Sequence, residues 1–247
     1  IKDMNLFFNE WSDKSSKSMK LLCKGCIPKQ IIEKYSESIL DYYEKNNGQS
    51  LLDPYCIFQH LREYWIDIMQ DDCYIISGEG WIAETKGIFE LIKSGKDKGK
   101  LKEKGWECDL VPKDLIISRY FAPELSHLNS QKLDLDSVCA EITSLEESQI
   151  SEDGAFAEFE KINKNEVSKK LKLILNLSDF VEEVQVLTKW LDLNKKQNFL
   201  KKSIKITEES LDQKALNKYP QLTEDEIRNL VVCDKWLKSL EILISKE

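Results

Sequence analysis

The stretch LLDPYCIFQHLREYWIDIMQDDCYIISGEGWIAE, residues Leu51–Glu84, sets most of the architecture that the sequence predicts. Its first half carries apolar residues at the i, i+3, i+4 spacing that places them on one face of a helix: Ile57, Phe58, Leu61, Tyr64, Trp65, Ile68 and Met69. Pro54 suits the first position of this helix, and Asp53 suits its N-cap. We interpret Trp65, with Trp81 and Trp106 further along, as an anchor of a buried core.

Three further elements are predicted in the N-terminal half. An amphipathic helix begins after Pro28. The β-prone and apolar residues from Cys73 to Ala83, punctuated by Gly78 and Gly80, predict a small hairpin. A third helix is expected over about Thr85–Lys93.

The segment SGKDKGKLKEKG, residues Ser94–Gly105, is the strongest local basic feature of the chain. From Lys93 to Lys104 six lysines accompany only two acidic residues, Asp97 and Glu103. The pattern is typical of a solvated loop. A second interpretation is a DNA-backbone site, because each lysine that neutralises a phosphate releases a counterion. The residues of that site would be Lys96, Lys98, Lys100, Lys102 and Lys104.

The C-terminal half carries heptad patterns on two predicted helices, one from about Pro123 and one over about Ser178–Tyr219. Two such helices in one chain most simply form an antiparallel pair. Their apolar positions could pair within the chain, with another copy or with a partner protein. The residues predicted for a partner interface are Leu128, Leu135, Val138, Ile142, Trp190, Leu193, Leu200 and Ile204.

Shorter elements connect and follow these helices. One short helical piece is expected through Phe156, Phe159 and Ile162, and a second around Val167, Leu171 and Ile174. A last helix is predicted to run to Ile244. Thr223 with Glu226 three residues later has the pattern of a capping box at its start.

Composition favours a mainly α protein, since the 247 residues include only nine Gly and five Pro. We therefore predict a helical bundle with a small β-hairpin in the N-terminal half and a long antiparallel coiled-coil-like helical pair in the C-terminal half. The predicted domains are residues 1–121, which pack around the hairpin and the basic loop, and residues 122–247, which form the helical assembly domain.

Charge, hydropathy and cysteine usage narrow the function classes. The net charge of −8 argues against a surface that binds nucleic acid everywhere, so any DNA contact must come from a local patch. No apolar run is long enough to span a bilayer, and seven scattered cysteines favour a reducing compartment, so we expect a cytoplasmic protein. Cys23 and Cys26 form one C-x-x-C, either half of a zinc site or a redox pair, but a zinc site requires a second close pair. We interpret most of the thiols as small core residues.

Four segments follow one another along the chain: DPYCIFQHLREYWIDIMQDDCYIISGEGW, KGWECDLVPKDLIISRYFAPE, EDGAFAEFEKINKNEV and KYPQLTEDEIRNLVVCDKWL. In this order they resemble the C-terminal part of the modification (M) subunit of type I restriction-modification enzymes. The similarity covers nearly the whole chain, from Pro28 to the final helix. The M subunit of that family is an adenine-N6 DNA methyltransferase that uses S-adenosylmethionine. It works with a specificity (S) subunit, which reads the DNA, and with a motor-nuclease subunit.

The chain departs from the full family pattern in its chemistry. Such methyltransferases have a Gly-rich loop for S-adenosylmethionine and an Asn/Asp-Pro-Pro-Phe/Tyr motif that binds the flipped adenine. The sequence has neither: Asp53-Pro54-Tyr55 lacks the second proline, and Gly78-x-Gly80 is too short for a cofactor loop. We therefore expect no catalytic, cofactor-binding or metal residue in this chain, and no methyl transfer by it alone. Because the chain opens IKDMNLFFNEW, we expect it to continue a longer protein.

Two functional hypotheses follow. In the first, the chain is an assembly domain of a type I M subunit that packs against the helical spacers of the S subunit, reaches DNA through the complex and supports methylation by an upstream catalytic domain. In the second, it is a free-standing helical scaffold unrelated to restriction. No membrane partner is expected in either case.

Overall fold

The structure, a computed structural model, describes residues 2–45, 54–93, 99–151, 154–175 and 177–244. These residues are mainly α-helical with one two-stranded antiparallel sheet, which confirms the predicted fold class. The helices are α1 (Lys2–Met19), α2 (Pro28–Lys45), α3 (Pro54–Tyr64), α4 (Gln70–Glu79), α5 (Lys113–Tyr120), α6 (Ala122–Ser148), α7 (Lys164–Ile174), α8 (Val181–Lys218), α9 (Glu224–Asn229) and α10 (Lys238–Ile244). The strands are β1 (Lys86–Leu91) and β2 (Leu101–Glu107).

The chain forms two compact units. The first combines residues 1–120 with residues 214–247, and the second comprises Phe121–Gln213. The first unit contains the hairpin and a core in which Ile76, Val111, Ile116 and Leu230 are completely buried. The second unit contains α6, α7 and most of α8 around a separate apolar core.

Helices α3 and α4 are joined without a break by a π-helical segment, Trp65–Met69. The buried residues Leu61, Trp65, Met69 and Cys73 follow one another at intervals of four. In an α-helix of 3.6 residues per turn this spacing drifts around the axis. The wider π segment offsets the drift and keeps the four side chains on one face. Pro54 is the first residue of α3, as predicted, whereas the predicted N-cap, Asp53, lies outside the described residues.

The position predicted for the hairpin is wrong. Residues 73–79 continue α4, and the helix ends at Gly80, whose φ of +89° suits a glycine. Cys73 and Ile76 are both completely buried, so tertiary packing on one helical face overrides the β propensity of this short run. Gly80 was correctly predicted as a break, but the strands were predicted on either side of it, whereas both strands of the structure follow it.

The hairpin instead lies where a third helix and a basic loop were predicted. Strand β1 replaces the helix expected over Thr85–Lys93, and the second half of the basic segment forms β2. Partners in the register include Lys86 with Glu107 and Leu91 with Leu101. Ile88 pairs with Gly105 but Phe89 pairs with Glu103, so β2 carries a bulge. The long-range pairing with β2 decides the conformation here, because Ile and Phe fit a strand as readily as a helix.

The second unit is built on an antiparallel pair of α6 and α8. Trp190 Nε1 donates to Glu146 Oε1 at 2.7 Å near the end of α6, and Gln131 Nε2 donates to Ser203 Oγ at 2.8 Å near its start. The order of these contacts runs oppositely along the two helices, which confirms the predicted antiparallel arrangement. Thr207 Oγ1 donates to Gln131 Oε1 at 3.2 Å.

The connection between α6 and α8 partly follows the predictions. Helix α7 is present, and Asn163 caps it by accepting from the backbone N–H groups of Asn165 and Glu166. The short helix predicted through Phe156 is wrong, because the chain forms successive turns there. Phe156 N donates to Gln149 O at 2.9 Å, and this contact holds the turns against the end of α6. The Phe156 ring is completely buried.

The last helical run, from Glu224 to Ile244, begins at the predicted capping box. Thr223 Oγ1 accepts from Glu226 N, and Glu226 Oε2 accepts from Thr223 N. Between α9 and α10 the residues Leu230–Leu237 are π-helical and bury Trp236 in the first unit. Among the described helices, none combines the length and the apolar composition needed to cross a membrane.

Candidate interaction sites

The first unit contains a buried carboxylate. Asp72 is 3% exposed, and its two oxygens accept from Lys235 Nζ and Trp236 Nε1, each at 2.7 Å. Lys235 Nζ also donates to Leu110 O at 3.1 Å. Burial raises the pKa of the Asp72 carboxyl, and the adjacent Lys235 ammonium opposes that rise. Because both oxygens are already bonded within the protein, the arrangement is suited to holding segments together rather than to proton transfer with a substrate.

Tyrosine and tryptophan side chains tie the same part of the unit together. Tyr64 Oη donates to Lys235 O at 2.8 Å, and Tyr219 Oη donates to Val111 O at 2.6 Å. Burial raises the pKa of both phenols. The side chain of Trp81 packs near that of Trp236, with ring centroids 6.3 Å apart.

Two of the three tryptophans predicted as core anchors are buried, Trp65 and Trp81. The third, Trp106, is half-buried on β2 and packs edge-on against Tyr219 at 5.3 Å. Trp81 Nε1 donates to Leu22 O at 2.6 Å, which satisfies the buried indole N–H.

The residues predicted for a partner interface lie inside the second unit. Leu128, Val138, Ile142, Trp190, Leu200 and Ile204 are buried, and Leu135 and Leu193 are half-buried. Most of them form one apolar cluster together with Phe156 and Val167. The heptad residues thus pair within the chain, which was one of the three alternatives that the sequence left open. We therefore assign the six buried residues to the core of the unit, and contact of a partner with any of the eight stays a prediction.

The predicted DNA-backbone lysines divide into two groups. Lys96 and Lys98 lie outside the described residues. Lys100, Lys102 and Lys104 are exposed on and beside β2, where Lys104 Nζ lies 3.1 Å from Glu90 Oε2. The strand register sets Glu90 opposite Lys102, so this part of the segment carries acidic neighbours. Contact of these lysines with DNA stays a prediction.

The C-x-x-C motif forms a turn docked on α4. Cys26 N donates to Cys23 O at 3.1 Å, and Gly25 adopts a φ of +87° between them. Ser77 binds the turn from α4: its Oγ donates to Cys26 O at 2.7 Å, and its carbonyl accepts from Gly25 N at 2.9 Å. Within the described part of the chain, no group of three or more His, Cys, Asp or Glu side chains is placed to hold a metal ion.

One surface feature escaped the sequence interpretation. Phe199 and Ile206 on α8 are 70% and 66% exposed, although they lie in the middle of the longest helix of the second unit. They are seven residues apart, so the signal was present in the sequence. The sequence interpretation missed this spacing because the buried heptad residues of α8 are sufficient to explain the helical pair.

Comparisons of the chain with protein-family models, with curated proteins and with solved structures found no match. The assignment of function therefore depends on the sequence resemblance and on the physical character of the two units.

Proposed function

We propose that the chain is the C-terminal assembly domain of the M subunit of a type I restriction-modification methyltransferase. In this proposal it packs against the S subunit in the cytoplasm and supports DNA adenine-N6 methylation by a catalytic domain outside this sequence. That domain would bind S-adenosylmethionine. The motor-nuclease subunit and DNA would join through the assembled complex.

The observation that carries the proposal is the meeting of three of the four resembling segments at Asp72. This residue lies in the first segment, Leu110 lies in the second, and Lys235 and Trp236 lie in the last. Three of the four resembling segments therefore pack together in one core, whereas EDGAFAEFEKINKNEV belongs to the second unit. A domain whose role is assembly requires a stable core of this kind. The buried polar groups of the core form hydrogen bonds with one another.

The second unit supports the same proposal through the hydrogen bonds between its two long helices. Its helical pair satisfies its own polar side chains, as in the contact of Gln131 with Ser203 and that of Trp190 with Glu146. A helix as long as α8 can present its outer face to the helices of another subunit.

The second candidate function is a free-standing scaffold. It is favoured by the internal pairing of the heptad residues, because a unit whose seam is closed needs no partner to fold. The two proposals differ in what they bind, so a binding experiment separates them.

The test is co-expression of the affinity-tagged chain with the S subunit of the same restriction-modification system. We expect the S subunit to copurify with the chain through size-exclusion chromatography in 0.5 M salt (about three times the physiological ionic strength, where weak charge contacts are screened). A tagged chain with Asp72→Ala, which removes the buried carboxylate, is the control for dependence on the folded first unit. Failure of the native chain to retain the S subunit would favour the free-standing scaffold.

A further inference from the structure

The outer face of α8 carries four exposed side chains in line: Lys195, Phe199, Lys202 and Ile206. Their spacings of four, three and four residues place them within roughly 60° of one another around an α-helix. Ile204, which is buried, falls on the opposite side of the helix at 3.6 residues per turn. The face is therefore separate from the seam of the helical pair.

The same part of α8 has a strong local charge. The sequence KKQNFLKKSIKI, residues 195–206, contains five lysines and no acidic residue, in a chain whose net charge is −8. Lys195 pairs with Asp192 at 3.0 Å, and Lys205 lies 3.8 Å from Glu209. Lys202 forms no ion pair with a described residue, so its ammonium is available beside the two apolar side chains.

We infer that this face docks one amphipathic helix whose apolar stripe is flanked by Glu or Asp. Two exposed apolar residues seven apart match the repeat by which a further helix packs on a helical pair. The lysines complement acidic residues on the flanks of the incoming helix, and this complementarity selects the partner. The inference deepens the proposed function by naming the face that binds, and rests on it only for the identity of the partner protein.

The chemistry of the face disfavours two other occupants. A second copy would bring one lysine-rich segment against another, and like charges at such a contact are repulsive. Duplex DNA would use the lysines through its phosphates but would leave Phe199 and Ile206 against a charged backbone. Only an acidic amphipathic helix uses all four side chains.

The probe for the test is a synthetic peptide of four heptads, with Leu at positions a and d and Glu at e and g. A matched peptide carries Lys at e and g. At neutral pH each peptide repels its own copies through like charges, so it stays available for binding. Fluorescence anisotropy with the full chain then measures both affinities directly.

We expect the Glu peptide to bind at least ~10-fold more tightly than the Lys peptide, and Phe199→Ser with Ile206→Ser to remove ~10-fold or more of that affinity. The double substitution Lys195→Glu with Lys202→Glu should reverse the preference between the two peptides. Leu133→Ser is the matched control, because Leu133 on α6 is also 70% exposed, and this variant should bind like the native chain. Circular dichroism of each variant checks that the helices are intact.

Equal binding of the two peptides, or an unchanged affinity after the Phe199 and Ile206 substitutions, overturns the inference. So does self-association of the native chain through this face in sedimentation experiments. Binding of a 30-base-pair duplex that depends on Lys195 and Lys202 but not on Phe199 would also overturn it, because the ligand of this face would then be nucleic acid. Since the probe is a defined peptide, failure here leaves the copurification test of the proposed function unaffected.

Discussion

Asp72 Oδ2 accepts a hydrogen bond from Trp236 Nε1 at 2.7 Å, although 164 residues separate the two positions in the chain. The other carboxylate oxygen accepts from Lys235. A single buried side chain thus joins α4 to the last helical run, and the first unit depends on both ends of the sequence. Since breaking a buried ion pair leaves an uncompensated charge, removal of either partner should strongly destabilise the unit.

Removing the carboxylate tests that dependence. Asp72→Ala leaves Lys235 buried without its partner, so we expect the free energy of unfolding of the first unit to fall by about 3–5 kcal/mol. Urea unfolding followed by tryptophan fluorescence measures the change, because Trp236 lies at the site. Asp71→Ala, one residue away on the exposed side of α4, is the matched control and should change stability by less than about 0.5 kcal/mol. Equal effects of the two substitutions would show that the Asp72 contact is not important.

Gly154 is a second position where a substitution should lower the stability of the fold. A Cβ built there would clash with the backbone carbonyl of Gln149, so the turn after α6 has no space for a side chain. We expect Gly154→Ala to destabilise the second unit by about 1–3 kcal/mol. Thermal unfolding measured by circular dichroism should show a lower midpoint.

The control for Gly154 is another glycine with open space around it. Gly78 lies in α4, and a Cβ built there meets no atom within 4 Å. Gly78→Ala should therefore raise stability by about 0.5–1 kcal/mol through helix propensity. A destabilising effect at Gly78 as large as that at Gly154 would contradict the geometric explanation.

The capping box predicts a pH dependence. The backbone N–H of Thr223 and the phenol of Tyr120 donate to the Glu226 carboxylate and lower its pKa from 4.5 to about 2. Because the folded pKa lies below the unfolded one, the charged form stabilises the fold above about pH 4.5. That contribution is lost as the pH falls toward 2.

The measurement is the difference in unfolding free energy between the native chain and Glu226→Gln. We expect about 1 kcal/mol at pH 7, since Gln keeps the shape but not the charge, and a difference that shrinks between pH 4.5 and pH 3. Leu133→Ser, an exposed substitution on α6 that changes no charge, is the control, and its difference should not vary over this pH range. A Glu226 difference that is constant over this range would exclude the charge as its cause.

The basic strand gives a prediction about DNA. If Lys102 contacts a phosphate in the complete complex with the S subunit, Lys102→Ala should weaken binding to all DNA sequences alike. It should also reduce the slope of log affinity against log salt concentration by about one. Lys164→Ala, at an exposed position of α7, is the control. An unchanged salt slope for Lys102→Ala would show that Lys102 does not contact a DNA phosphate.

The sequence predicted the fold well where an element depends only on residues close together in the chain. The capping box needs only Thr223 and a residue three positions later, and the heptads of α6 and α8 need only their own spacing. The hairpin was misplaced because β1 pairs with the second half of the basic segment and the two residues after it, across an intervening loop, and no short window of sequence contains that information. The partners of Asp72 were unpredictable for the same reason, since the carboxylate is satisfied from the far end of the chain.

The interaction surfaces were harder to predict from the sequence than the fold. The heptad residues were correctly seen as apolar contacts, but a seam within the chain and a seam with a partner have identical patterns. Only the burial of residues such as Val138 and Leu200 separates the two cases. The outer face with Phe199 could have been found by asking which apolar residues of α8 fall off the buried stripe.

Reconstituted methylation tests the proposed function most directly. The catalytic region of the M subunit and the S subunit are mixed with and without this chain, and transfer of labelled methyl groups from S-adenosylmethionine to adenine in duplex DNA is counted. The proposal predicts no transfer by this chain alone and a large gain in sequence-specific transfer when it joins the other two parts. Methyl transfer by the chain alone, or full activity of the other two parts without it, would contradict the proposal.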